Sequence, residues 1–345
     1  MDLQQAIARL MEREDLSTAE MTDVMRLVMT GAATDAQIGG LLVALRMKGE
    51  TVDELVGAAS VMRELSSKVE LSGDNLVDIV GTGGDASSLF NVSTASSFVA
   101  AAAGARVAKH GNRSVTSRSG SADLLESAGV RLDLNIEQVA QSVQAVGIGF
   151  MFAVNHHSAM KHAIAARREL KARTIFNLLG PLTNPAAVSN LSLGVFSKAW
   201  VRPYAEAMQA LGAEHVLVAH SEDGLDEISI GAKTYIAELK DGVISEYCVT
   251  PEDFGLQRGS LTDLVVSGPE ESLAMIRSAF KQQNTTATDM VALNAGAAIY
   301  CANIADSLAE GVLMAQDAIG SGAASCKLDE LVTFTQALKV AEAQH

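Results

Sequence analysis

The sequence predicts an α/β protein: a small N-terminal all-helical domain, then a larger domain on a mostly parallel sheet. Apolar residues recur at helical spacing through residues 1–70, and from Leu76 onward short β-rich runs alternate with helical stretches. With 345 residues, 48% of them apolar and only 5 prolines, the chain can bury the cores of two domains.

Four helices are marked by Leu3, Ile7 and Leu10; by Met21, Val24 and Val28; by Ile38, Leu41, Leu42 and Leu45; and by Leu55, Ala58, Met62 and Leu65. Ser17-x-x-Glu20, Thr34-x-x-Gln37 and Thr51-x-x-Glu54 are capping-box patterns, and Gly31 and Gly49 stand where helices stop. Leu3, Met21 and Met25 could form a partner-binding face, although such residues at helical spacing more often fill a core. Strands are expected at Leu76 to Val80, Ile148 to Ala153, Leu191 to Val195 and His215 to Ala219. No polar linker or fixed-period repeat separates the parts, so a cleft between packed domains is the default binding site.

The net charge of −15, from 26 basic and 41 acidic residues, disfavours nucleic acid, and no basic run compensates. No apolar run approaches the roughly 20 residues of a membrane helix, so a soluble cytoplasmic protein is expected. Cys248, Cys301 and Cys326 form no Cys-x-x-Cys spacing and read as reduced structural cysteines.

The chemistry concentrates in Asp78-Ile-Val-Gly-Thr-Gly-Gly-Asp85, Asn91-Val-Ser-Thr94 and Lys109-His-Gly-Asn-Arg113. A strand ending in Gly81, Gly83 and Gly84 lets backbone N–H groups approach anionic oxygens. Asn91, Ser93 and Thr94, as capping side chains, open the apolar run Ala95 to Ala103 with its positive helix end. Either piece alone would serve an ordinary strand–turn–helix corner; together they describe an anion cradle for a phosphorylated, magnesium-bound sugar. Neither a Gly-Lys-Ser/Thr tripeptide nor a dinucleotide fingerprint is present.

The stretch Lys109 to Ser117 is too polar for a buried strand and is expected to be a mobile loop folding over substrate. Asp226 and Glu227 offer adjacent hard carboxylates, which by spacing alone fit a solvated loop better than a metal site. His156, His157 and His162 lack zinc-ligand spacing.

These motifs, with Ser119-Gly-Ser-Ala-Asp-Leu-Leu-Glu126 and Arg173-Thr-Ile-Phe-Asn-Leu-Leu-Gly-Pro-Leu-Thr-Asn-Pro185, resemble anthranilate phosphoribosyltransferase over essentially the whole chain. The resemblance implies transfer of 5-phosphoribose from phosphoribosyl diphosphate to anthranilate in tryptophan biosynthesis, with Mg2+ as cofactor. It implies phosphoribosyl-diphosphate contacts at Gly81, Gly84, Asp85, Asn91, Val92, Ser93, Thr94, Lys109, Asn112, Arg113, Ser114, Val115, Thr116, Ser117 and Ser121, with no individual role claimed for the Arg113 cation. Anthranilate contacts fall on Gly81, Asn112, Arg167, His110, His157 and Pro181, and magnesium on Ser93, Asp226 and Glu227. Arg168, about 100° around a helix from Arg167, is given a surface role.

The family's helical domain forms homodimers. Domain limits follow as 1–72, completed by about 165–190, for the helical part and 73–164 with 191–345 for the α/β part. An arylamine is already nucleophilic, so no catalytic acid or base is assigned. Leu89, where the family often has threonine, and Val154 and Ser158, where it often has prolines, depart from the pattern. The rival readings are a pyrimidine nucleoside phosphorylase of the same general fold and a non-catalytic paralogue that binds nucleic acid.

Overall fold

The computed structural model describes residues 1–84, 87–114 and 118–342. Helices α1 (Leu3–Met11), α2 (Thr18–Met29), α3 (Asp35–Lys48) and α4 (Val52–Glu64) form an N-terminal bundle. The capping boxes at Ser17, Thr34 and Thr51 are all present, and Asp2 with Gln5 adds a fourth. Gly31 and Gly49 follow α2 and α3 with φ of 79° and 95°, a region where a Cβ would be strained. Leu3, Met21 and Met25 are buried in the bundle core, so they present no exposed partner face.

The rest of the chain alternates strands and helices: β1 (Leu76–Gly81), α5 (Val92–Ala102), β2 (Arg106–Gly111), α6 (Ser121–Ser127), α7 (Ile136–Val146), β3 (Ile148–Phe152), α8 (Ala153–His156), α9 (Lys161–Leu170), α10 (Ile175–Leu179), β4 (Asn190–Gly194), α11 (Val201–Ala210), β5 (His215–Ser221), β6 (Thr234–Lys240), β7 (Val243–Val249), α12 (Pro269–Phe280), α13 (Thr285–Cys301), α14 (Leu308–Gly320) and α15 (Ala323–Glu342). The sheet order is β3-β2-β1-β4-β5-β6-β7, with β3 through β5 parallel and β6 and β7 added antiparallel. The antiparallel pair closes through Asp241 and Gly242, both with positive φ, the backbone a two-residue hairpin needs.

Alternation along the strands assigns the two faces of the sheet. Leu191, Leu193, Val216 and Val218 pack in one buried cluster with the N-terminal bundle, whereas Val77, Ile79, Leu217 and Ala219 pack with α5 and α13. Helices α9 and α10 lie on the bundle side, α9 against α2 and α3 and α10 against α3 and α4. The chain leaves β1 toward β2 and later returns to β4 on the other side of β1. That reversal opens a crevice at the C-terminal ends of β1 and β4, where α/β sheets bind ligands.

The start of the expected Lys109 to Ser117 loop is strand instead. Lys109, His110 and Gly111 belong to β2, in register with Phe150, Met151 and Phe152 of β3, and Lys109 and His110 are only 2% and 5% exposed. The strand tolerates the buried ammonium because it donates to the Ile79 carbonyl at 2.5 Å. The loop begins only at Asn112.

Candidate active site

Gly81 and Gly194 end β1 and β4 as a paired register position at the mouth of the crevice. Both lie against Asp226: a Cβ on Gly81 would strike its carboxylate, and one on Gly194 its backbone carbonyl. Beyond the strand end, the Thr82 N–H donates to the Gly194 carbonyl at 3.0 Å and the Gly83 N–H to Asp226 Oδ2 at 2.7 Å. Gly83 and Gly84 take φ of 65° and 80°, the left-handed region where glycine is unstrained. Arg173 donates to the Gly84 carbonyl while its guanidinium sits 4.5 Å from the Phe196 ring centroid. Asp85 lies outside the described residues.

The N-terminus of α5 faces the same crevice, with Asn91, Val92 and Ser93 on its wall. Contrary to expectation, Asn91 makes no side-chain cap to this helix. Its Oδ1 accepts from Ser119 Oγ and Ser272 Oγ, both at 2.8 Å, and its amide donates to the Ser119 carbonyl. The first-turn N–H groups therefore keep their pull on an anion. Thr94 Oγ1, on a residue 1% exposed, is a buried hydroxyl without a protein partner among the described residues. Thr94 is not among the residues lining the cavity; the uncapped helix start and the glycine loop are what fit a diphosphate oxygen cluster.

Past β2, Asn112, Arg113, Ser114 and Ser121 line the opposite wall. Asp123 organises this loop by accepting the N–H groups of Ser114 and Gly120, each at 3.0 Å. The Arg113 guanidinium is committed to Asp123 at 3.0 Å and Glu126 at 2.7 Å, which leaves its backbone for the cavity. Val115, Thr116 and Ser117 lie outside the described residues. Leu89 lines the cavity and bridges to Val265 through its backbone.

Another part of the lining sets a cation beside an aromatic ring. Arg167 projects from α9 with its guanidinium 5.1 Å from the Phe176 centroid; burial lowers its pKa, and an arginine stays charged regardless. Arg168 is exposed. Pro181, Phe176 and Asn177 complete this wall; the sequence reading does not single out the last two, although the Arg173-Thr-Ile-Phe-Asn177 run contains them. His110 lines the cavity and His157 stacks edge-on behind it, centroids 5.2 Å apart. Burial, reinforced by the neighbouring imidazoles, pushes His110 well below its ordinary value and His157 down to about 4. The three clustered histidines serve separate ends: His156 Nδ1 meets the Ser67 carbonyl at 2.8 Å, His157 packs on His110, and His162 lies over Gly31.

Asp226 and Glu227 line the cavity with Ser93. Asp226 is 9% exposed rather than solvated, because the glycine pair lets it tuck beneath the loop. Two carboxylates and a hydroxyl are hard oxygen donors of the kind magnesium takes alongside substrate phosphates. The cavity measures about 370 Å3, the size of a small-molecule site. Its lining therefore combines anion donors and hard oxygens with a cation over an aromatic ring.

The chain matches the glycosyl transferase family a/b domain over residues 73–325 and the glycosyl transferase family helical bundle domain over residues 4–66. It is 59% identical to anthranilate phosphoribosyltransferase of Hahella chejuensis, covering 99% of this chain and 100% of the relative. It is 60% identical to that of Cellvibrio japonicus, covering 98% and 100%. The crystal structure of the Thermus thermophilus enzyme superposes with a TM-score of 0.90 at 44% identity, covering 96% of this chain and 99% of that one. The Saccharomyces cerevisiae enzyme, solved in complex with PRPP and Mg, superposes with a TM-score of 0.88 at 25% identity, covering 97% and 98%. Sequence likeness over nearly the full length and the shared fold agree that the chain belongs to the anthranilate phosphoribosyltransferase family.

Proposed function

We propose that the protein transfers 5-phosphoribose from phosphoribosyl diphosphate to anthranilate, giving N-(5-phosphoribosyl)anthranilate and diphosphate, in tryptophan biosynthesis. The observation that carries this is one cavity lined at once by Gly81 to Gly84, Asp226 and Glu227 and by Arg167 beside Phe176. The first set suits a diphosphate and the second an aromatic carboxylate. Among the described residues, the Asp226–Glu227 pair and Arg167 argue against the phosphorylase reading.

Transfer breaks the ribose C1–O bond to diphosphate and forms a C1–N bond, with one amine proton released. Backbone donors of the glycine loop and the α5 N-terminus bind the diphosphate and stabilise its developing charge; removing such a donor costs about 3 kcal/mol of barrier. Asn112 to Ser114 and Ser121 hold the ribose phosphate side, and Asp85 and Val115 to Ser117 complete that pocket in the family pattern. Arg167 binds the anthranilate carboxylate, and Pro181 and His110, backed by His157, wall its ring, so the amine is aimed at C1. Ser93, Asp226 and Glu227 would hold magnesium, which would supply further charge neutralisation at the diphosphate. The buried neutral imidazoles are poor general bases at pH 7, which agrees with a mechanism of positioning and leaving-group stabilisation.

In the same reading the helical unit spans 1–72 with about 165–190, the α/β unit 73–164 with 191–345, and the protein is a cytoplasmic homodimer. Among the described residues no helix is long and apolar enough to cross a membrane.

The test is the loss of anthranilate fluorescence with phosphoribosyl diphosphate and magnesium, run beside Asp226→Asn/Glu227→Gln. Turnover that collapses at least about 100-fold in the folded variant supports both reaction and metal site. A folded wild type without turnover sinks the reading, and equal turnover in the variant sinks the metal assignment.

A further inference from the structure

Strands β1 and β2 part company near the cavity. Their ladder covers Leu76 with Arg106 and Val77 with Val107, after which β1 continues on β4 from Asp78 to Gly81 and β2 continues on β3 from Val107 to Gly111. Main-chain groups on the two facing edges then need other partners. Three buried polar side chains span the split. Asp78 Oδ1 accepts the His110 N–H at 3.2 Å. Asn184 Nδ2 donates to Asp78 Oδ2 at 2.7 Å and to the Ala108 carbonyl at 2.9 Å, and Lys109 Nζ reaches back to the Ile79 carbonyl. Asp78, Asn184 and Lys109 are 0%, 3% and 2% exposed.

Uninterrupted pairing of apolar strands would satisfy the same backbone groups without desolvating a carboxylate and an ammonium. What the polar substitute provides is a break in the ladder: beyond Val77 and Val107 side chains join the two strands, and Val80, Gly81 and Lys109 to Gly111 line the cavity there. Each member also leads to a different wall. Asp78 precedes the glycine loop by a few residues, Lys109 and His110 open the Asn112 to Ser114 wall, and Asn184 follows Pro181. Asn184 is itself fixed, its Oδ1 accepting the Ala186 N–H at 2.8 Å.

We propose that Asp78 and Asn184 form a clasp across the β1–β2 split that sets the spacing of the three cavity walls, making both positioning residues for the transfer reaction. The proposal rests on the function proposed above. Burial pushes the Asp78 carboxyl up to about 6, against the pull of Lys109, and both its oxygens accept, Oδ1 from His110 and Oδ2 from Asn184. Asp78→Asn keeps the volume but sets an amide N–H against one of those two donors. Asn184→Ala removes the bridge from the Pro181 side.

The experiment measures kcat, both KM values and the thermal midpoint for wild type, Asp78→Asn, Asn184→Ala and the double variant at pH 7.5. The expected result is at least a tenfold rise in KM for both substrates in each single variant. The double variant should be no worse than the more impaired single, because both break one bridge. Unchanged kinetic constants in folded variants, a lowered midpoint alone, or multiplicative effects overturn the proposal. If neither single variant folds, the clasp is a condition of folding rather than a positioning device, and the proposal falls. Absence of wild-type turnover is a separate result that sinks the functional reading itself.

Discussion

The carboxylate of Asp226 accepts the N–H of Gly83 at 2.7 Å, joining two loops that lie 143 positions apart in the chain. This contact exists because Gly81 and Gly194, paired across β1 and β4, leave a slot that the Asp226 residue fills from both its side chain and its backbone. The glycine loop therefore owes its shape to a residue assigned to the metal as much as to its own glycines.

Gly194→Ala should consequently be more damaging than Gly81→Ala in stability. The new methyl at 194 meets a backbone carbonyl, whereas at 81 it meets the end of a side chain that can rotate away. We expect a loss of about 3 kcal/mol for Gly194→Ala and about 1 kcal/mol for Gly81→Ala, overpacking values, with activity strongly reduced in both. Urea unfolding beside the fluorescence assay checks this; equal stabilities would show that the Asp226 backbone shifts freely.

Glu238 forms a polar staple remote from the cavity. Burial raises its carboxyl, but His215 at 3.3 Å, Tyr300 at 2.6 Å and Tyr247 at 2.8 Å outweigh that and hold it down to about 2. A depressed carboxyl stabilises the fold fully above its unfolded value of 4.5 and loses that contribution as pH falls from there through about 2. Urea midpoints of wild type should fall across this window, and Glu238→Gln should be less stable at pH 7 with a flatter acid limb. Parallel acid limbs in the two proteins would assign the acid sensitivity to other carboxylates.

His110 and His157 should stay neutral throughout the physiological range. Both values are depressed by burial, so the unfolded chain binds protons that the folded one refuses, and stability declines as pH falls below 6.5. Imidazole nitrogen shifts in the NMR spectrum should report neutral rings for both at pH 5.5. Protonation of either near pH 6 would mean that water reaches the pair and that a general base is available after all.

Local signals make much of the architecture legible. The capping boxes at Ser17, Thr34 and Thr51, the glycine stops and the β1, β3, β4 and β5 runs depend on neighbours within a few positions, and all stand in the structure. The β6–β7 hairpin is absent from the sequence reading although Lys240-Asp-Gly-Val243 carries its turn signal. Lys109 and His110 read as loop because their polarity outweighs their place in a strand; the carbonyl that receives the Lys109 ammonium lies 30 positions away.

The sequence by itself determined the α/β class, the N-terminal helices, the β1, β3, β4 and β5 runs and, through its motifs, the family. Only the tertiary structure decided that Asn91 ties Ser119 to Ser272 instead of capping α5, that Asp226 is tucked under the glycines, and that β1 and β2 separate around Asp78. Helix starts, turns and strand patterns are set by neighbours along the chain. The partner of a buried polar group is set by which distant segment packing brings within about 3 Å, and it must be found because an unmet buried donor or acceptor costs about 1–3 kcal/mol.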